Sequence, residues 1–421
     1  MKADLERLRS VFGAASVEAW QPALPALAGV LPSATPVLAP ASAAEVQEGL
    51  RFAAREGLHV LPAGSMEHLH LAGSLRGVDF VLSTRRLDRI LEHEKVDFTL
   101  IAEAGVTLHT LAAQAGEAGQ RLAPAPWPGR AATVGGACAA NRNGLGRLGR
   151  GTWRDAVLGC RVLHADGGTT KTGGKVVKNV SGYDLAKIYL GSLGSLALLC
   201  EINLRLVPMP ERSAVVLARV PMERARDLLV AAERSSLRPQ AFLASFGIGT
   251  NAAEDKDLEL LARFEGQASV VEAQSRGCAA LWGGQIAGDA EAEARWRSLM
   301  QFGTPDPGQV LLSLAGLPTA VVPALDVVRS CCGDGVAALG LHGVGTVAVQ
   351  VPVELSPRLP ELRDRLQAAG CTLRSFWSPV AVGQGFRPVP PAPALQAGLK
   401  SVFDPSGLLP APPWLEMEAA R

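Results

Sequence analysis

Residues 118–183 constrain this chain more than any other stretch. They hold ten Lys or Arg against two acidic residues, a local surplus of +8 in a 421-residue chain whose formal total is +1, together with 14 of its 45 glycines. Glycine at that density opposes a long helix or an unbroken strand, because each one costs about 0.5–1 kcal/mol relative to alanine in either element. The stretch must therefore fold as turns and short elements braced by their neighbours. Bare backbone beside positive charge suits a bound anion, since N–H groups reach phosphate oxygens where side chains are missing. A plainer reading stands beside it, of glycines at turns and arginines in solvent. Composition alone leaves both open.

A chain of this length holds two or three domains, each able to bury its own core. With 48% apolar and 19% charged residues it reads as a soluble globular protein. No apolar run reaches the roughly 18 to 20 residues that span a bilayer. The charged start, Met1 to Arg9, has no apolar segment behind it. No transmembrane segment and a cytoplasmic location are expected, and the near-neutral charge gives no reason to expect nucleic acid as a partner. The seven cysteines, Cys138, Cys160, Cys200, Cys278, Cys331, Cys332 and Cys371, lack the spacing of a zinc or iron–sulfur site. They read as reduced core thiols, and no metal is expected. Of the seven histidines only His68 and His70 lie close together, and at i, i+2 in a loop they read as surface or packing residues.

Leu5, Leu8, Val11 and Phe12 predict a short amphipathic helix, followed by an Ala- and Pro-rich linker to about Pro40. Ser42 and Glu45 make a capping box for a helix that carries Val46, Leu50 and Ala53 and stops at Gly57. Strands are predicted over 58–61, 80–82, 98–101 and 156–164, with a helix over 107–119, and 185–190 then 197–207 complete the domain. Pro124, Pro126 and Pro128 exclude regular structure where they fall. From Glu211 the order strand, helix, strand occurs over 214–220, 222–233 and 241–246, then again over 309–314, 325–331 and 346–353. Further helices over 269–278 and 357–369 complete two similar halves, which suggests a split βαβ, ferredoxin-like domain with its helices on one face.

Two motifs invite a phosphate assignment and fail on context. Gly144, Gly146 and Gly149 spell GxGxxG, yet Asn141-Arg142-Asn143 before them is no strand and Arg150-Gly151-Thr152 after them opens no helix. Gly174-Lys175 resembles a P-loop end, but Thr169 replaces the first glycine and Val176 the hydroxyl residue. Neither GxSxG nor HExxH is present, so hydrolase chemistry has no support.

Five separated runs do point somewhere. Thr133-Val134-Gly135-Gly136, the run from Lys175 through Tyr183 to Leu185, the run Gly191 to Leu196, Glu201, and the ending Lys400 to Gly407 resemble the FAD-linked oxidase family. The FAD-binding domain of that family is of the vanillyl-alcohol-oxidase (PCMH) type, and the likeness is greatest to the FAD-binding subunit of bacterial glycolate oxidase. The resemblance implies an α+β fold, with a two-subdomain FAD-binding domain over 31–210, a ferredoxin-like cap over 211–386, a helix and linker over 1–30, and a Pro-rich tail over 387–421 that returns to the FAD domain. It further implies that Pro62, Ala63, Gly64, Ser65, Met66 and Glu67 lie on the pyrophosphate. Thr133, Val134, Gly135 and Gly136, with Ala140, Asn141, Arg142, Asn143 and Gly144, line the flavin and its phosphates. Gly194 to Leu199 approach adenine or ribose by backbone, and Lys175, Lys178 and Tyr183 face the flavin ring.

The chain departs from the family pattern at several of these positions. Met66 stands where a glycine is usual and Glu67 where a hydroxyl is usual. Leu193 replaces Glu, and Ala197 replaces Gly. The resemblance names partners, a sister flavin subunit and an iron–sulfur subunit, with a small 2-hydroxy acid as substrate of the complex and peripheral membrane association through those partners. No catalytic residue is assigned, because the cap contributes only His342. Three readings follow: an electron-transferring FAD subunit of a glycolate oxidase-like complex, a self-sufficient FAD-dependent 2-hydroxy-acid dehydrogenase, and a flavin-free structural or regulatory subunit. A Gly135→Glu change is expected to empty the site and leave the chain folded.

Overall fold

The computed structural model describes residues 4–23, 27, 30–72, 75, 77–124, 131–174, 183–248, 257–304, 306–333, 335–378 and 392–411. The chain forms two compact units, the first made of Met1–Asn143, Thr152–Pro208 and Pro390–Arg421, the second of Gly144–Gly151 and Met209–Val389. The N-terminal residues and the tail thus go with the first unit, and the GxGxxG run goes with the second.

The first unit holds two sheets. In the first, β1 (Val17–Ala19), β2 (Pro36–Leu38), β3 (Val60–Ala63) and β4 (Phe80–Ser83) run in the order β1-β2-β4-β3, with β2, β4 and β3 parallel. The Ala- and Pro-rich segment expected as linker therefore supplies strand β2, and its Leu27 and Leu31 are buried. The helix Ala43–Glu56 crosses from β2 to β3 and packs Val46, Leu50 and Ala53 onto Leu38, Val60, Phe80 and Leu82. Ser42 Oγ accepts from the Glu45 N–H at 3.3 Å, whereas the Glu45 carboxylate turns to the Ala41 N–H at 2.9 Å instead of closing the box on Ser42. Gly57 ends the helix at φ 61°, a left-handed position that suits glycine.

The second sheet is six-stranded. It runs β5 (Ile90–Glu94), β6 (Thr99–Glu103), β10 (Leu198–Pro208), β8 (Val157–Leu163) and β9 (Thr169–Gly173), with β7 (Gln120–Leu122) pairing the end of β10. Asp166 Oδ1 accepts from the Gly168 N–H at 2.7 Å and tightens the β8–β9 turn. The helices Leu108–Glu117 and Val134–Ala139 and the indole of Trp153, fully buried, cover this sheet.

The second unit is one eight-stranded antiparallel sheet. β11 (Arg212–Val220), β12 (Ala241–Phe246), β13 (Leu258–Gly266) and β14 (Gln285–Ile286) run β14-β11-β13-β12; β15 (Gln309–Gly316), β16 (Ala337–His342), β17 (Thr346–Pro352) and β18 (Cys371–Trp377) continue as β16-β17-β15-β18. Each half has the ferredoxin-like order, and β12 joins β16 edge to edge. The expectation of helices on one face needs correction. Val216, Phe242, Leu260 and Ala262 meet the helices Met222–Arg234 and Ala268–Trp282, but the alternate residues Val215, Leu243 and Leu261 are also buried, under a further helix, Asp289–Gln301. A sheet with both faces covered needs apolar residues at every position, and that helix supplies the second cover with Trp296, Leu299 and Met300.

Candidate functional site

The loop that follows β3 leaves at the carboxyl end of a parallel strand, where open parallel sheets hold their ligands. Opposite it stand the Thr133 turn, which starts the helix Val134–Ala139, and the Leu193–Leu199 segment that leads into β10. Together they enclose a cleft with about 710 Å³ of atom-free space, part of it open to solvent, entirely within the first unit.

Close backbone approach makes the cleft. A Cβ on Gly64 would lie 2.0 Å from Thr133 Oγ1, and one on Gly194 would lie 3.2 Å from Pro62 Cβ, so both positions need glycine for the walls to meet. Thr133 Oγ1 accepts from the Gly136 N–H at 3.2 Å and caps its helix. The Val134 and Gly135 amides donate to Val106 and Ala104 carbonyls, so this turn spends its N–H groups internally. Among the described residues no acceptor stands against the amides of Ser65, Met66 or Glu67, and all three residues line the cleft.

Met66 holds the glycine conformation, φ 67°, at a cost of order 1–3 kcal/mol for a residue with a side chain. The side chain offsets part of that by burial against Trp20, Leu27, Leu31 and Val37. Glu67 Oε1 accepts from the Ala131 N–H at 3.2 Å; desolvation pushes its carboxyl pKa up, and that hydrogen bond only partly counters the shift. Neither side chain closes the cleft, although both line it. His68 also lines it; burial, then the Arg142 charge, lowers its pKa to about 3. His70 is driven well down by the same two causes, so both imidazoles are neutral at physiological pH. Arg142, half-buried, is lowered by desolvation to about 10 and stays cationic beside them.

Of the positions expected from sequence, Pro62, Ala63, Gly64, Ser65, Met66, Glu67, Thr133, Gly135, Gly136, Ala140, Gly194 and Leu199 line the cleft. Val134 is fully buried beneath it. Asn141, Arg142 and Asn143 form a turn that holds Trp153: Asn143 Oδ1 accepts from the Trp153 N–H at 2.9 Å, and the Arg142 carbonyl accepts from the indole N–H at 2.8 Å. Gly144 belongs to the second unit. Tyr183 is 92% exposed and does not line the cleft, and Lys175 and Lys178 lie outside the described residues. Leu61, Leu69, Ala72, Thr84 and Ala139 line it without having been expected. Thr84 had a usable signal, since it follows directly on parallel strand β4.

His342, in the second unit, is 1% exposed, with Nε2 3.3 Å from Glu233 Oε2, and burial lowers its pKa. All seven cysteines are buried and unpaired. Among the described residues no helix is long and apolar enough to cross a membrane.

The cleft between glycine-tight walls, in a two-sheet α+β unit, has the form of a nucleotide-binding site. Residues 34–173 match the FAD binding domain family, which indicates FAD as the cofactor of that segment. It is 32% identical over 212 residues to D-2-hydroxyglutarate dehydrogenase of Xanthomonas citri pv. viticola, a match covering 50% of this chain and 45% of that one. It is 31% identical over 182 residues to glycolate oxidase subunit GlcD of Bacillus subtilis (43% and 39%). It is 31% identical over 217 residues to glycolate oxidase subunit GlcE of Escherichia coli (51% and 58%). These matches span about half the length of the curated relatives. Among solved structures, alkyldihydroxyacetonephosphate synthase superposes with a TM-score of 0.69 at 16% identity, covering 96% of this chain and 84% of that one. At that identity the likeness concerns the fold alone.

Proposed function

We propose that this chain is the FAD-binding subunit of a glycolate oxidase-like 2-hydroxy-acid oxidoreductase and passes electrons through its flavin to a partner subunit. The observation that carries the reading is the cleft itself, which stays open although Met66 and Glu67 replace the usual small residues. Its fit to FAD rests on the Gly64 and Gly194 approaches and on the amides of Ser65, Met66 and Glu67. FAD held there would supply the two-electron acceptor for oxidising a 2-hydroxy acid to the 2-oxo acid, with the hydroxyl proton released to solvent. The chain's own residues supply the setting. The 65–67 amides bind phosphate oxygens, Leu61, Leu69 and Leu199 exclude water, and the Arg142 cation offsets phosphate charge from behind the loop. In this reading the second unit is the cap domain, and a sister flavin subunit with an iron–sulfur subunit completes the electron path. The dehydrogenase relatives favour a second reading, in which the chain oxidises a 2-hydroxy acid unaided.

Purified protein should be yellow, with flavin absorbance near that of one FAD per chain. It should reduce a dye with glycolate or lactate only when the partner subunits are added. A colourless protein that takes up no FAD overturns the flavin assignment, and turnover by the lone chain selects the dehydrogenase.

Glu67 gives this site a pH dependence. An ionised carboxylate beside the pyrophosphate repels it, whereas a protonated one does not. FAD affinity should therefore rise as pH falls through the elevated Glu67 pKa. Glu67→Gln should bind FAD several-fold tighter at neutral pH and lose that slope, as read by titration of the apoprotein with FAD at pH 5 to 8. An unchanged slope in the variant removes Glu67 from the phosphate wall.

A further inference from the structure

The two walls of the cleft come from different sheets, and a distant segment touches both. Val60, two residues before Pro62 in β3, donates its N–H to the Leu408 carbonyl at 2.8 Å. Ser195, next to Gly194 on the other wall, accepts from Lys400 Nζ at 2.9 Å. Lys400 sits on the helix Pro393–Phe403, with its side chain 14% exposed. Its other two donors meet the Leu409 carbonyl at 2.9 Å and the Asp404 carboxylate, so all three ammonium protons are used. Asp404, 2% exposed, also accepts the Leu408 and Leu409 N–H groups at 3.0 and 2.8 Å. Phe403 completes the seat, stacked on His164 at 6.1 Å and edge-on to Tyr189 at 5.8 Å.

We propose that Lys400 and Asp404 are positioning residues: a charged latch that fixes the spacing of the Pro62 and Gly194 walls and so sets the affinity of the cleft for a dinucleotide. Neither residue lines the cleft. Their effect passes through Ser195 and Val60 to the point where Gly194 packs on Pro62. Because the Lys400 ammonium is buried among three oxygens, it has no alternative seat. Its loss frees Ser195 and leaves the Asp404 carboxylate buried without its counter-ion, a costly state. The inference rests on the FAD reading and extends it to residues outside the site.

Reciprocity supplies the test, since a latch that favours FAD must itself be tightened by FAD. Hydrogen exchange on the wild-type protein, with and without FAD, should show slower exchange of the Leu408 and Leu409 amides when FAD is bound. Lys400→Met, and Lys400→Met/Asp404→Asn, which removes both charges, should weaken FAD binding about tenfold in a fluorescence titration of apoprotein. Their circular dichroism spectra should match the wild type. Unchanged exchange at Leu408 and Leu409 on FAD binding, or wild-type affinity in a folded variant, overturns the latch and leaves the FAD reading intact. A wild-type protein that takes up no FAD overturns both. Should neither variant fold, the wild-type exchange measurement decides alone.

Discussion

Gly64→Ala should strip the protein of flavin. The added methyl would lie 2.0 Å from Thr133 Oγ1 and 3.1 Å from Thr133 Cβ, well inside contact distance. Thr133 cannot retreat, because it is 3% exposed and its hydroxyl caps the Gly136 N–H. The 64–67 loop must move instead, and that loop carries the donor amides. Overpacking of this kind costs about 1–3 kcal/mol, which as lost affinity is roughly 5- to 150-fold. The ratio of flavin to protein absorbance after purification, with a titration of apoprotein, reads it directly. Flavin content equal to wild type would take the loop out of the site. Gly116→Ala is the matched control, since its new methyl meets nothing within 4 Å inside the helix Leu108–Glu117. Gly135, by contrast, is a poor probe. Its Cβ direction points at Ala104, 2.7 Å from that Cβ and 2.8 Å from the carbonyl, so Gly135→Glu should disturb the core before it reaches the cleft. The expectation of a folded, flavin-free variant does not survive that geometry.

The second large effect lies in the other unit. Glu265, its side chain 1% exposed, holds two guanidinium groups: Arg150 Nε at 3.0 Å and Arg263 Nε at 2.8 Å. Arg263 also lies 4.5 Å over the Trp296 ring and reaches Glu293 at 3.2 Å. Glu265→Ala leaves two buried cations without their shared carboxylate, and breaking a buried pair in this way costs about 3–5 kcal/mol. Denaturant unfolding should show the second unit melting at markedly lower denaturant, with the flavin content of the first unit unchanged. A midpoint close to wild type would mean that water already reaches the cluster.

The same cluster explains what the sequence concealed. Strand β13 went unread because Arg263 and Glu265 look like solvent residues, yet in the fold they are buried as partners on a covered face. The helix Asp289–Gln301 was missed for a related reason: Trp296, Leu299 and Met300 make a narrow apolar stripe among charges, and only the second sheet face gives it something to cover. Ser42 and Gly57 were legible because capping is local chemistry, complete within four residues. Asn141 to Asn143 misled, because a polar turn that grips an indole and a polar turn that grips phosphate share one composition. Arg150, directly after the GxGxxG run, serves an ion pair in the second unit, and that structural role occupies the position where a nucleotide fingerprint would open its helix.

The hydrogen bond from Lys400 to Ser195 joins residues 205 positions apart. During translation at roughly 5–20 residues per second, the ribosome adds that length in about 10–40 s. Throughout that interval the nascent first unit exists without its closing segment, and the intervening unit can fold before it. With the proposed latch, flavin uptake is expected to wait for residues 400–409 to be made.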